Sequence, residues 1–111
     1  MTPDFAIRQG DLLPVFSFQC LYNSGAVIDI STCTLVKFEM YLISGTVAKV
    51  SSSSGVNVTD AAHGKGTYAW QAGDTDTPGS YIAWVELTFP DGKTLKCPNQ
   101  GYTRIQVTTT E

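Results

Sequence analysis

Apolar and polar side chains alternate with a period of two along most of this chain, which is the spacing of extended strands rather than of helices. The clearest run covers residues 35–43, where the apolar side chains at even positions share one face and Lys37 and Glu39 lie on the other. This pattern predicts a half-buried strand of an antiparallel sheet. Shorter runs predict further strands at 5–7, 12–22, 27–30, 46–50, 56–58, 67–72, 94–97 and 103–109.

A second long strand is predicted at 80–89, and it carries apolar side chains on both faces. Tyr81 and the odd-numbered residues that follow it share one face, which we assign to the core. Ile82 and Trp84 lie on the opposite face. The outward side of this strand is therefore partly apolar as well.

Turn-forming residues separate the runs. The segment 90–93, Pro-Asp-Gly-Lys, predicts a tight hairpin, and the serine-rich segment 51–55 predicts a flexible connector. Residues 61–65 have room for one helical turn, because Gly64 and Gly66 disfavour a longer helix. Eight or nine short strands without a helix predict an all-β fold, a β-sandwich that forms a single domain over residues 1–111.

The composition is poor in charge. The chain has 111 residues, of which 15% are charged, against roughly 25% in an average soluble domain. Serine and threonine take the place of charged residues, and a hydroxyl-rich surface loses little solvation free energy when a neighbour covers it. This favours a subunit packed among others, although many monomeric β domains have the same composition.

Charge and targeting signals exclude two classes of partner. The formal net charge is −3, and the seven basic residues are scattered rather than gathered into a stripe, so we expect no nucleic acid partner. The first residues have neither the basic region nor the apolar segment of a signal peptide. No apolar run is long enough to span a bilayer. The sequence therefore predicts synthesis in the cytoplasm and no membrane contact.

The three cysteines, Cys20, Cys33 and Cys97, show no CxxC motif and no regular spacing. An odd number in this arrangement argues against a disulfide framework and against a zinc site. Cys20 lies in an apolar run, where a free cysteine behaves as a small buried hydrophobe. A bridge between Cys20 and Cys97 remains an open alternative.

Residues suited to catalysis are sparse. The single histidine, His63, falls in a predicted exposed turn, and no nucleophile, metalloprotease or P-loop motif is present. We therefore expect a protein that is not an enzyme, with no catalytic residues and no cofactor.

Two further motifs suggest sites that we do not expect to be used. Asp74-Thr75-Asp76 resembles the start of a calcium loop, but Val85 stands at the twelfth position, where a glutamate would complete the site. We interpret it as a turn in which aspartates cap backbone amides, and expect no metal. Asn57-Val58-Thr59 is a formal glycosylation sequon, which has no meaning without export.

Three aromatic residues, Tyr41, Trp84 and Tyr102, fall outside the core register and are the candidate interface residues. Such rings suit either a sugar-stacking platform or a protein contact. Coplanar rings in a groove favour a sugar, and a flat contiguous patch favours a protein.

Val56 and Val58 are further candidate interface residues. They lie in a very short predicted strand, whose free edge is a candidate for strand addition by a neighbour.

The second half of the chain resembles a known family. The run Gly66-Thr67-Tyr68-Ala69-Trp70, the run from Asp74 to Val85 that contains Thr77-Pro78-Gly79-Ser80-Tyr81, the turn Phe89-Pro90-Asp91-Gly92-Lys93 and Cys97-Pro98 look like the Ig-like N-terminal domain of phage baseplate upper proteins. Similar small domains occur in many structural proteins of tailed phages. The likeness extends from about residue 10 to residue 107.

This resemblance implies an antiparallel Ig-like β-sandwich of about eight short strands. It also implies a structural protein of a tailed-phage virion, at the tail, baseplate or neck or as a head decoration. Such a protein is made in the bacterial cytoplasm and docks on other virion proteins, including copies of itself in a symmetric assembly. The alternative is a carbohydrate-binding module that helps a particle to hold a host surface, with a glycan as its partner.

Overall fold

The computed structural model describes residues 4–22, 24–97 and 102–109. Within those ranges no helix has the length and apolar character needed to cross a membrane. A single 3₁₀ turn at Ala61–His63 accounts for the predicted helical turn. The described chain otherwise forms nine strands: β1 Phe5–Arg8, β2 Phe16–Gln19, β3 Leu35–Leu42, β4 Ala48–Ser52, β5 Val56–Asp60, β6 Lys65–Tyr68, β7 Gly79–Thr88, β8 Thr94–Cys97 and β9 Thr103–Thr108.

The larger sheet has six strands, in the order β1-β9-β7-β3-β4, with β8 also paired to β7. Strand β3 pairs with β7 from Leu35 opposite Thr88 to Leu42 opposite Tyr81 and so fills one edge of β7. Strands β8 and β9 therefore lie end to end along the other edge. All pairs are antiparallel except β1 with β9.

The smaller sheet has three strands in the order β2-β6-β5, all antiparallel. Its strands and those of the larger sheet contribute to one common core. The arrangement is that of an Ig-like sandwich. When the extra strand β4 is left out of the count, the second, fourth and fifth strands (β2, β5 and β6) form one sheet, and the third, sixth and seventh (β3, β7 and β8 with β9) belong to the other. The extra strand β4 beside β3 corresponds to the variable-type form of that fold. The predicted all-β Ig-like sandwich is confirmed, and the nine strands of the described residues agree with the eight or nine predicted.

Strand β7 carries a further mark of this fold, a tyrosine corner. The hydroxyl of Tyr81, near the start of the strand, donates a hydrogen bond of 2.6 Å to the carbonyl oxygen of Thr77. In Ig domains with an inter-sheet disulfide, such a tyrosine lies two residues before the second cysteine. Here that position is Ala83, which is fully buried.

An aromatic cluster occupies the space between the sheets. Phe38 of β3 stacks on Tyr68 of β6 with ring centroids 4.4 Å apart, and also contacts Phe16 of β2 and the edge of Trp70. Phe5 of β1 packs against Phe16 and Trp70. Strands β2 and β6 of the smaller sheet thus meet strands β1 and β3 of the larger sheet through aromatic rings, which bury large apolar areas in preferred geometries.

Several elements differ in extent from the sequence prediction. The run 12–22 is a strand only at β2, because Pro14 has no N–H to donate to a ladder. The run 27–30 is not a regular strand; the amides of Ile28 and Ile30 donate to two separate segments, at Cys20 and Ala61. The connector 51–55 begins later than predicted, since residues 51 and 52 pair with β3 as the end of β4.

Gly64 joins three segments at the end of the 3₁₀ turn. Its φ is +69°, its N–H donates to the carbonyl of Ala61, and its own carbonyl accepts from the amide of Cys20. A Cβ at this position would lie 2.6 Å from the carbonyl oxygen of Ile28 and 2.9 Å from that of Cys20. Glycine is therefore required both by the backbone conformation and by the lack of space.

Replacement of Gly64 by alanine tests this packing. We expect Gly64→Ala to lower the free energy of unfolding by about 3 kcal/mol or more, because backbone strain adds to contact with two carbonyl oxygens. Gly92→Ala is the matched control: its φ is +87°, and nothing lies within 4 Å of the added Cβ. Urea denaturation of both variants should show a loss of only about 1 kcal/mol for the control. Equal losses would contradict the packing argument.

Candidate functional site

Strand alternation on β7 places a patch of aromatic and basic side chains on the outer surface of the larger sheet. The odd-numbered residues Tyr81 to Leu87 point into the core and are buried. Ile82 and Trp84 point outwards and are half-buried by their neighbours. We call this patch the aromatic face and define it by six residues: Tyr41, Ile82, Trp84, Lys96, Tyr102 and Arg104.

Trp84 is at the centre of the aromatic face. Tyr41 on β3 stacks on it, with ring centroids 5.2 Å apart and planes 20° apart. The ammonium group of Lys96 lies 4.8 Å from the Trp84 ring centroid. Lys96 is on β8 and Tyr41 is on β3, which pair with opposite edges of β7, so side chains from both adjacent strands contact the indole.

The indole N–H is also satisfied within the face. It donates a hydrogen bond of 2.9 Å to Oε1 of Glu39, which lies directly opposite Trp84 in the sheet. Lys37 lies 3.9 Å from Glu39 and 3.7 Å from Glu86. Stacking, a cation–π contact and a hydrogen bond therefore fix one orientation of Trp84 before any partner is present.

Tyr102 and Arg104 extend the face beyond β7. Arg104 lies opposite Ile82 in the pairing of β7 with β9, so its side chain shares the outer surface. Its guanidinium carbon is 5.7 Å from the centroid of the Tyr102 ring. Tyr102 is 40% exposed, whereas Trp84 is half-buried. The three aromatic residues predicted from the sequence thus lie on one surface.

The other two predicted interface residues lie elsewhere. Val56 and Val58 are in β5, which pairs with β6 and forms an edge of the three-stranded sheet. Val58 is 39% exposed, whereas Val56 is half-buried against the core. A depression of about 240 Å³, lined in part by both valines and by Leu35 and Val36, lies beside this edge. Strand addition at β5 remains a prediction.

The acidic turn at 74–76 is occupied by contacts within the chain. Oδ2 of Asp74 accepts hydrogen bonds from the Tyr68 hydroxyl, at 2.6 Å, and from the amide of Gln71, at 2.8 Å. Asp76 forms an ion pair with Lys49 and accepts from the Thr77 hydroxyl, and both hydrogen bonds lower the pKa of its carboxyl group. Asp74 therefore caps a backbone amide as predicted, and the described residues contain no group of three or more potential metal ligands.

His63 has a local partner as well. Its Nδ1 lies 2.9 Å from Oδ2 of Asp60, three residues earlier in the chain, and both side chains are largely exposed. An exposed histidine–aspartate pair in a surface turn has neither the burial nor the convergent groups of a catalytic site. The contact is of the kind that stabilises a turn.

Sequence reasoning did not single out Lys96 and Arg104 as members of the face. The sequence does indicate that Arg104 points outwards, because its neighbours at odd positions, Ile105 and Val107, are predicted to point inwards. Lys96 alternates in the same way with Cys97 and Leu95. The alternation gives the side of the sheet, but only the strand order shows that these cations lie beside Trp84 and Tyr102.

Comparisons with known proteins add little to this geometry. No family model and no curated protein matches the sequence. Among solved structures, murine CRIg is similar over 100% of this chain and 96% of its own, with 15% sequence identity and a TM-score of 0.40. A likeness at that level supports no inference about function.

The two tryptophans should differ in their effect on stability. Trp70 is 3% exposed and its indole N–H donates to the carbonyl of Pro14, so Trp70→Ala should cost about 3–5 kcal/mol. Trp84 is half-buried on the outer surface, and Trp84→Ala should cost less than about 2 kcal/mol. Urea denaturation measures both values. A similar loss for the two variants would show that Trp84 is retained for folding rather than for contact with a partner.

The Tyr68–Asp74 hydrogen bond predicts a loss of stability at alkaline pH. Burial, followed by the hydrogen bond to Asp74, raises the pKa of Tyr68 above its ordinary value of 10.0. The folded state therefore holds the phenol proton more tightly than the unfolded state does, so this contribution is complete below about pH 10 and is lost as the pH rises.

Unfolding measurements between about pH 8 and pH 11 should show this decline, with a slope of up to about 1.4 kcal/mol per pH unit for one group. Tyr68→Phe should make the decline shallower, and Tyr22→Phe, at an exposed tyrosine, should leave it unchanged. An unchanged slope in Tyr68→Phe would contradict the assignment.

Proposed function

We propose that this chain is a non-catalytic docking domain that associates through its aromatic face with copies of itself, as a structural component of a tailed-phage virion. The observation that carries the docking proposal is the gathering of Tyr41, Trp84, Tyr102 and Arg104 on the outer surface of the larger sheet. These are the residue types most enriched at the energetic centres of protein interfaces.

The fixed orientation of the Trp84 side chain within the aromatic face supports the docking proposal. Trp84 is held by Tyr41, Lys96 and Glu39 in a single orientation. A partner that covers it therefore loses little free energy in fixing rotamers, which is a main cost of association. Five of the six residues of the aromatic face lie on paired strands and Tyr102 directly precedes β9, so the shape of the face is defined largely by the sheet.

The charges around the face favour a second copy as the partner. Lys37, Lys96 and Arg104 lie on the same surface as Glu39 and Glu86. In a two-fold symmetric contact, the same surface of each copy faces that of the other. Because this surface has both basic and acidic side chains, the basic groups of one copy can lie against the acidic groups of the other. A surface of one sign would oppose that pairing.

The virion assignment is supported by the resemblance of the sequence to Ig-like domains of phage baseplate proteins. The low content of charged residues, 15% of the chain, also suits a subunit enclosed by neighbours. Structural proteins of this kind act by binding their neighbours and need no catalytic groups. In agreement with this, the side chains of Asp74 and His63 are engaged by partners within the chain.

Sedimentation of the purified chain over a range of concentrations tests self-association. We expect a reversible dimer or a higher symmetric oligomer, weakened at least about tenfold by Trp84→Ala or Tyr102→Ala. Tyr22→Ala is the matched control, because Tyr22 is 46% exposed against 40% for Tyr102 but is not part of the aromatic face. A chain that stays monomeric at high concentration, or a control that weakens association equally, would contradict the proposal.

Mass spectrometry of purified phage particles from the source strain tests the virion assignment separately. We expect the chain in the particles at a stoichiometry that fits a symmetric position. Its absence from particles would overturn the virion assignment, whereas the sedimentation result would still decide whether the face docks.

The carbohydrate alternative is less well supported by the geometry. A sugar stacks on a free ring face, and the Trp84 ring is already stacked by Tyr41 and contacted by the ammonium group of Lys96. A glycan array probed with the wild type and with Trp84→Ala distinguishes the two functions. Binding by the wild type that is lost in Trp84→Ala would favour the alternative, and no binding by either would remove it.

A further inference from the structure

The smaller sheet has an open edge at β2. In Ig domains the first strand of the chain lies beside the second and covers this edge. Here β1 pairs instead with β9 in the larger sheet. Strand β2 pairs with β6, and no other strand of residues 4–22, 24–97 and 102–109 pairs with it. A strand from another molecule can therefore be added beside β2.

The pairing of β2 with β6 shows which backbone groups face the open edge. The amide of Cys20, directly after β2, donates to the carbonyl of Gly64, directly before β6. Backbone groups alternate in direction along a strand, so those of the two phenylalanines in β2 face β6. The N–H and C=O groups of Ser17 and Gln19 face the open edge, and no backbone hydrogen bond within the described residues uses them.

The side chains at this edge leave an apolar recess. Phe18 lies opposite Gly66, and a Cβ at Gly66 would lie 2.6 Å from Cζ of Phe18. The Phe18 ring therefore lies over β6, on the side away from the open edge. Beside it is a recess of about 240 Å³, whose lining includes Phe16, Val85 and Cys97. An added strand can bury apolar side chains there.

The absence of charge distinguishes β2 from the other edge strands of the described residues. Strands β1, β4, β5 and β8 contain Arg8, Lys49, Asp60 and Lys96, respectively. Strand β2, with the sequence Phe-Ser-Phe-Gln, contains no charged residue. Charged side chains on an edge oppose pairing with another copy, because a two-fold contact brings like charges near each other. The composition of β2 therefore favours a second copy of the same strand as the partner.

We propose that two copies of this chain pair through antiparallel β2 strands, so that their smaller sheets form one continuous sheet. The two-fold axis passes beside Phe18, which lies opposite Phe18 of the other copy. Ser17 then lies opposite Gln19 of the other copy, and each such pair exchanges both of its N–H···O bonds. The inference does not depend on the aromatic face, which lies on the larger sheet.

Hydrogen exchange of the full chain, measured by NMR, tests this pairing directly. A contact between two short strands is small and weak, so we compare dilute with roughly millimolar solutions. We expect the amides of Ser17 and Gln19 to exchange at least about twofold more slowly at the higher concentration, because association gives them acceptors. The amide of Val58, in the strand at the other edge of the same sheet, is the control and should not change.

Two double variants test the register. Ser17→Lys with Gln19→Lys sets like charges opposite each other across the two-fold contact, whereas Ser17→Glu with Gln19→Lys sets opposite charges there. Both side chains are exposed, and the two variants share the change at Gln19. Both are made in a chain that has Tyr102→Ala, which weakens contact through the aromatic face. In sedimentation, the variant with opposite charges should associate at least about tenfold more tightly, and salt should reduce the difference.

Unchanged exchange at Ser17 and Gln19 over the whole concentration range, or slowing at Val58 alone, would overturn the proposal. Equal dissociation constants for the two double variants would overturn the assigned register. The exchange measurement uses the wild-type chain, so it decides the proposal even if a variant fails to fold.

Discussion

The contact of Phe38 with the rings of Phe16, Tyr68 and Trp70 is the interaction on which the rest of this structure depends. It holds the two sheets together in a sandwich whose thiols are free, at a level where many Ig domains have a disulfide. Burial of aromatic side chains supplies much of the free energy of folding in so small a domain. The rings also fix the sheets in one relative position, because their stacking and edge contacts are geometrically specific.

The same constraint produces the outer surface. With Phe38 inside, Lys37, Glu39 and Tyr41 must point outwards from β3, because side chains alternate along a strand. The pairing of β3 with β7 then sets Trp84 opposite Glu39 and diagonal to Tyr41. The aromatic face is thus a consequence of the register that the core imposes. A site built on paired strands is more rigid than one built on loops, which suits docking without rearrangement.

The sequence was sufficient for most of the fold, because the period-two pattern in β3 and β7 is long and regular. It also identified Tyr41, Trp84 and Tyr102 as facing outwards, since parity along a strand follows from the inward residues. It did not give the strand order, and therefore could not place Lys96 beside Trp84 or Arg104 beside Tyr102. Those contacts join strands far apart in the chain. The run 12–22 contains a strand only at β2, because an apolar pattern does not show that Pro14 has no amide N–H for a ladder.

We expect the aromatic face to be covered by another subunit in the assembled state. A cryo-EM map of particles that contain this chain tests it directly. We expect the outer surface of the larger sheet to be buried, with Trp84 and Tyr102 at the centre of a contact between symmetry-related copies. A map in which that surface faces solvent, while the chain is held by its loops or by the β5 edge, would contradict it.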